Sequence, residues 1–174
     1  AQAVTAQAPL HLVIDATGFL HGSGFGPEKS WRQLDAAHMA HAFAINAIGP
    51  ALLMKHFLPL LPRSGKAVFA TLSAKVGSIG DNRLGGWYSY RASKAALNML
   101  VHTAAIELAR SRPELVVAVL HPGTVQSGLS RPFDSAQAAR PPAQAARELL
   151  GVIDALTSAD SGAFMSWNGE RLPW

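Results

Sequence analysis

Four short apolar stretches rich in β-branched residues punctuate the chain: "HLVID" (11–15), "AVFATL" (67–72), "LVVAVL" (115–120) and the weaker "GAFMSW" (162–167). Between the first three lie long segments whose apolar residues recur at helical spacing. A strand that reads as a near-continuous apolar run is buried on both faces, and such strands alternating with helices imply a parallel sheet covered on each side. The expected fold class is therefore α/β.

The first helical region runs from about Ser30 to Leu61, with Ser30 as N-cap and Gln33 three residues later as its reciprocal partner. Gly49 and Pro50 bend or divide it, and Pro59 and Pro62 end it. A second helix starts near Tyr88 and runs to about Ser111, closing before Pro113. A third occupies roughly Pro142 to Leu156, with Pro141 and Pro142 near its start. The stretch "SRPFDSAQAARPP" (130–142) reads as a loop or short helix over the sheet edge. No internal repeat interrupts this pattern. At 174 residues, 49% hydrophobic and 15% charged, the expectation is one globular domain over residues 1–174.

Charge and composition narrow the function classes. The formal charge is +4 with seven histidines, but Arg and Lys are scattered, so no nucleic-acid partner is expected. Without cysteine there is neither a disulfide framework nor a thiolate metal site. No apolar run approaches the roughly 18 to 20 residues that cross a bilayer. The opening "AQAVTAQAPL" lacks the positive n-region of a signal peptide, so a cytoplasmic protein without a membrane partner is the simplest reading. His38 and His41, at i and i+3, lack a third ligand nearby in sequence, and no metal is expected.

The segment "YSYRASK" (88–94) places Tyr90 and Lys94 four positions apart, on one face of a helix. A phenol with a pKa near 10 is a poor proton donor or acceptor at neutral pH, and a neighbouring ammonium lowers that value. The pair is thus a workable acid–base couple, or equally two ordinary surface residues. Context favours the former. The helix follows a Ser- and Gly-rich loop, "LSAKVGSIGDNRLGGW" (72–87), and the next strand ends in "HPGTVQS" (121–127). Both lie at the carboxyl edge of the sheet, where open α/β folds bind ligands.

"YSYRASKAALN", the preceding "LSAKVGSI", the upstream "FAINAIGPALL" and the downstream "LHPGTV" occur in the order and spacing of the short-chain dehydrogenase/reductase family. From about His11 to Trp174 the chain resembles the bacterial branch of carbonyl-reductase-like and cell–cell signalling-factor-like members. The resemblance implies a Rossmann-like parallel sheet with flanking helices and an NAD(P)-dependent oxidoreductase acting on a small-molecule carbonyl, aldehyde or ketone. It makes Tyr90 the proton donor and Lys94 the residue that lowers the tyrosine pKa and binds the nicotinamide ribose. Asn46 matches the asparagine that holds a relay water. Pro122, Gly123, Thr124 and Val125 match the segment that packs against nicotinamide, and Gly18 the last glycine of "NNAG". The cofactor is NADP or NAD, with NADPH favoured, and homo-oligomers through the two long helices are implied.

Two departures stand out. The family's carbonyl-binding serine stands three before the loop glycine, where this chain has Ala74. Ser73 is adjacent, though neighbours on a strand face opposite ways, and Ser78 is the other candidate hydroxyl. Either is alternatively a loop-capping serine. The second departure is "IDATG" for "INNAG", with Asp15 and Ala16 in place of asparagines. The stretch "TGFLHGSG" (17–24) fits the family's TGxxxGxG phosphate turn letter for letter, yet "FGPEKSW" separates it from a helix and no second strand follows. The alignment instead makes "HLVID" equivalent to the family's fourth strand. The four strands then correspond to 4-5-6-7, the carboxyl-terminal portion of the fold, with the first three strands and the glycine turn absent and "HLVID" left as an unpaired edge. The alternative to an enzyme is a non-catalytic fragment or dimerisation module. Trp167 and Trp174 in the closing segment read as packing residues, with a substrate lid as the other possibility.

Overall fold

The computed structural model describes residues 8–22, 24–133 and 139–174. Its sheet has four parallel strands in the order β1 (Leu12–Asp15), β2 (Ala67–Leu72), β3 (Leu115–His121) and β4 (Phe164–Ser166). The strands fall where the apolar runs predict, and their parallel order agrees with the Rossmann-like reading. Val68 pairs with Val116 and Leu72 with Leu120, so β2 and β3 share a register along their whole length.

Side-chain alternation divides the core between the two faces. Ala67, Phe69, Val117 and Val119 face Met54, Leu97, Val101 and Ala105, while Val68, Ala70, Val116, Ala118 and Leu120 face Leu149, Ile153 and Leu156. The second set belongs to α4 (Pro142–Ala155) and the segment after it. Strand β1 bonds to β2 on one side, and among the described residues no strand lies on its other side. Leu12 and Ile14 are correspondingly part-exposed.

The first helical region differs in detail from its sequence reading. Ser30 and Gln33 do form a reciprocal capping box, but it closes only the short turn Trp31–Gln33. The helix proper, α1 (Ala36–Phe43), is capped by Asp35, whose carboxylate accepts from the His38 N–H at 2.8 Å. A wide π-helical stretch, Ala44–Ile48, follows and leads into α2 (Gly49–Phe57). Pro50 explains the widening, since it has no N–H for the carbonyl four residues back. Gly49 sits tightly there: a Cβ would lie 3.3 Å from the Ala44 carbonyl oxygen.

By length and composition alone the stretch Ala36–Leu60 is apolar enough to cross a membrane, which corrects the expectation that no run reaches that length. Its interspersed Ala, Gly, His and Asn break the apolar run without lowering mean hydropathy enough. Here α1 and the π-helical stretch pack against α3 (Tyr88–Ala109). Within 130–142, residues 134–138 lie outside the described residues; 130–133 form turns and bends, Arg140 bridges Val125, and Pro142 begins α4.

Candidate functional site

The carboxyl ends of β1, β2 and β3 meet the first turns of α3. Asn46, fully buried in the π-helical stretch, ties two of these elements together. Its Nδ2 donates to the Phe19 carbonyl at 2.8 Å and to Ser93 Oγ at 3.0 Å, and its Oδ1 accepts from the Phe19 N–H at 2.7 Å. The loop after β1 is thereby clamped onto α3. Gly18 lies in that clamp, where a Cβ would stand 3.8 Å from Lys94 Nζ and 3.9 Å from Asn46 Oδ1.

Lys94 is buried and donates from Nζ to the Leu72 carbonyl at 2.9 Å. Burial lowers its pKa to about 8, against the opposing pull of the Asp15 carboxylate. Asp15 is itself saturated, accepting from the Thr17 N–H at 3.0 Å and from the Thr17 and Thr71 hydroxyls, both at 2.7 Å. The carboxylate thus takes over a hydrogen-bonding position at the sheet end where the family places asparagine.

Tyr90 is also buried, with Trp87 edge-on at 6.2 Å. Burial pushes the phenol's pKa up to about 12, whereas the resemblance gives Lys94 the role of lowering it. Removing the ring hydroxyl from water penalises the phenolate, and the ammonium is directed at Leu72.

The two candidate serines separate clearly. Ser73 extends the β2 pairing, its N–H donating to the Leu120 carbonyl at 2.8 Å, and its buried Oγ has no hydrogen-bond partner among the described residues. By alternation it follows Phe69 and Thr71 onto the face that α3 covers. Ser78 Oγ instead accepts from the Asp81 N–H at 3.1 Å and closes a loop turn. Gly77, between them, is pressed onto α3: a Cβ would stand 2.7 Å from Lys94 Cβ and 3.1 Å from Lys94 C.

Pro122 to Val125 form the turn after β3, with Gly123 at φ +71. Arg140, which no local sequence signal marks, braces this turn. Its guanidinium donates to the Pro122 carbonyl, pairs with Glu148 and lies 3.7 Å above the Trp167 ring, while its main chain bonds to Thr124 and Gln126. Nearby, His121 is held low, at about 4, by burial and then by the charges of Lys75 and Arg140. The contacts thus tie Gly18, Asn46 and Lys94 together on the turn of α3 that follows Tyr90, while the Ser78 hydroxyl is engaged in its own turn.

The remaining motifs are accounted for by packing. The 17–24 stretch, described except for residue 23, ends in a tight turn closed by two Gly22–Phe25 bonds of 2.9 Å and opens into no α-helix before Ala36. His38 and His41 pack against Phe19 and Phe25, and among the described residues no group of three or more His, Asp or Glu is placed to hold a metal. Trp174 stacks on Phe164 at 5.8 Å. A groove of about 560 Å³ lies between α4 and β4, lined by Val152, Met165 and Trp167, and contains none of the site residues.

Comparisons with known proteins agree with this arrangement. The family profile described as Enoyl-(Acyl carrier protein) reductase matches residues 3–166. The chain is 39% identical over 142 residues to the protein named C-signal of Myxococcus xanthus, covering 81% of each. It is 38% identical over 141 residues to the 1-hydroxy-2-glutathionyl-2-methyl-3-butene dehydrogenase of Rhodococcus sp. (strain AD45), covering 81% of this chain but 61% of the relative. Among solved structures, an NADPH-bound carbonyl reductase from chicken fatty liver superposes with TM-score 0.82 at 28% identity, over 97% of this chain and 67% of that one. The carbonyl reductase Sniffer of D. melanogaster matches in fold with TM-score 0.84 at 24% identity, covering 99% of this chain and 70% of its own.

Proposed function

The chain belongs to the short-chain dehydrogenase/reductase family, and from that premise we propose that it forms the carbonyl-reducing part of an NAD(P)-dependent oxidoreductase with Tyr90 as proton donor. The observation that carries this reading is the buried Tyr90 on the same helix turn as a buried Lys94, with Asn46 and Gly18 against them.

Burial pushes the Tyr90 phenol up to about 12, so it keeps its proton at neutral pH but is a weaker donor than a free phenol, and efficient transfer calls for a lower value once substrate and cofactor are bound. The phenol gives that proton to the carbonyl oxygen of the substrate. When bound, a reduced nicotinamide supplies the hydride to the carbonyl carbon, so that C=O becomes CH–OH. Lys94, at about 8, remains largely an ammonium at neutral pH and is the residue that would hold the nicotinamide ribose. Ser73 is the better candidate to polarise the carbonyl, because its buried hydroxyl is unpartnered whereas that of Ser78 is engaged. The relay attributed to Asn46 runs through its main-chain carbonyl. Its amide protons are committed to Phe19 and Ser93, and Pro50 offers no N–H four residues on.

The residues present fit the nicotinamide–ribose end of such a cofactor. The Gly18 backbone leaves open the space beside Lys94 that a side chain would fill. NADPH is favoured over NADH, a choice supported by the NADPH-bound chicken reductase. The reading extends to a cytoplasmic, single-domain protein with a second copy as partner through α2 and α3, where Leu52, Met99 and Ile106 are exposed, as is Ile48 just before α2.

The test is a titration of the 174-residue chain with NADPH, followed by nicotinamide fluorescence, beside a Lys94→Ala control. Saturable binding that Lys94→Ala weakens is expected, and a screen of aldehydes and ketones then follows. In the active protein Tyr90→Phe should lower carbonyl reduction by about 10³-fold with nucleotide binding unchanged. Undiminished turnover in that variant rejects Tyr90 as the acid. Absence of NADPH binding favours the second reading, a non-catalytic association module, which the Myxococcus xanthus relative supports by carrying the name of a signal and not of a dehydrogenase.

A further inference from the structure

Helix α3 begins in an unusual way. Trp87, at its N-cap position, is in the left-handed region at φ 53 and offers no side-chain cap. The first N–H groups of a helix have no partners within it, and burying them unpaired is costly. Glu28, 61 positions before Ser89, meets this need from the loop after β1.

Both parts of Glu28 are used. Its main-chain carbonyl accepts from the Trp87 N–H at 2.5 Å. Its carboxylate accepts from the Ser89 N–H at 3.2 Å and, in a close contact, from the Ser89 hydroxyl. A negative group at this end of the helix also suits the helix dipole. The oxygen that accepts from the Ser89 hydroxyl, Oε1, also lies 3.2 Å from His38 Nδ1, and the His38 ring is in turn stacked on Phe25 at 4.9 Å and edge-on to Phe19 at 6.3 Å. Glu28, His38 and Ser89 are all buried. A carboxylate fastened this way is a fixed point and not a solvated charge.

We propose that Glu28 is the positioning residue for Tyr90, fixing the entry of α3 by holding Trp87 and Ser89 on either side of Tyr88. Trp87 packs edge-on to the Tyr90 ring, so one anchor sets both the start of the helix and a wall of the phenol's enclosure. Glu28 touches no reacting atom and acts through Ser89 and Trp87. The proposal rests on the reading of Tyr90 as the acid, but its test does not require turnover.

The chain has two tyrosines, Tyr88 and Tyr90, which makes ring ¹³C NMR decisive once Tyr90→Phe assigns the signals. Glu28→Ala should speed amide exchange at Ser89 and Tyr90 by about tenfold, the effect of a lost cap. It should also shift the Tyr90 ring signal and bring its ionisation midpoint down from about 12 toward the ordinary value as the ring gains solvent. Glu28→Gln, which retains an acceptor for the Ser89 N–H, should recover most of the change. An unmoved Tyr90 signal in Glu28→Ala overturns the proposal. So does faster exchange spread evenly through the chain with Gln no better than Ala, which assigns Glu28 to general stability. If Glu28→Ala does not fold, Ser89→Ala decides, since it removes the hydroxyl donor alone, and an unchanged Tyr90 signal there is equally fatal. Failure of the acid assignment itself shows separately, as retained turnover in Tyr90→Phe.

Discussion

The two halves of α3 are built on opposite principles. The first buries polar groups: Ser89, Tyr90, Ser93, Lys94 and Asn98 are nearly inaccessible. The second exposes apolar ones, with Met99 at 65% and Ile106 at 55% accessible, while Val101 and Ala105 anchor it on Phe69 and Val117. A buried polar group destabilises unless bonded, and most of the first half is bonded by segments remote in sequence. Ser89 meets Glu28, Ser93 meets Asn46, and Lys94 meets the end of β2. The helix is therefore held down by its apolar second half and given its chemistry by loops gathered around its first.

The largest test of this contrast is Lys94→Met. In the folded chain Lys94 titrates at about 8, below the ordinary 10.5, so between those values the unfolded chain binds more protons and stability rises with pH. Tyr90 has the opposite sign: folded at about 12 against 10.0, its contribution is complete below pH 10 and is lost as pH approaches 12. Thermal or urea unfolding from pH 7 to 10.5 should show rising stability in the parent chain. Lys94→Met should lack that rise and be more stable at pH 7 by as much as about 3 kcal/mol. A parent profile that is flat over this window contradicts the buried ammonium.

Gly77→Ala should have the next largest effect. The new methyl collides with Lys94 main-chain and Cβ atoms, which cannot retreat, so a loss of about 2 kcal/mol is expected in urea unfolding. Gly65→Ala makes a useful contrast, because Gly65 has open space and only its positive φ resists substitution. The smallest effect is reserved for the second half of α3. Met99→Lys with Ile106→Glu should change monomer stability by less than about 0.5 kcal/mol, yet shift sedimentation toward monomer if this face carries a second copy. Unchanged sedimentation of an oligomeric parent places the contact elsewhere.

Strand positions and the ends of α3 and α4 are legible in the sequence because apolar runs and prolines act locally. The start of the first helix is misread because Ser30 and Gln33 satisfy a capping pattern that Asp35 then repeats, and only the structure shows which one carries the helix onward. The pairing of Tyr90 with Lys94 follows from helical spacing alone. The direction of the Tyr90 pKa does not, because it depends on burial by Trp87 and other residues that spacing cannot bring together. Glu28 and Arg140 escape for a related reason. Each acts on a partner in a different element, at a separation that no periodicity encodes.

The wide turn at Ala44–Ile48 bears on how this chain would tolerate a change in length. A π-helical stretch accommodates one residue more than regular winding does, and each residue of an α-helix accounts for about 100° of rotation. Excising a single residue there would restore ordinary winding with every hydrophobic neighbour still hydrophobic, yet turn Asn46 relative to Phe19 and Ser93. An insertion or deletion at this point would be felt as the loss of a clamp, while substitution of the exposed Ala44 would pass almost unnoticed.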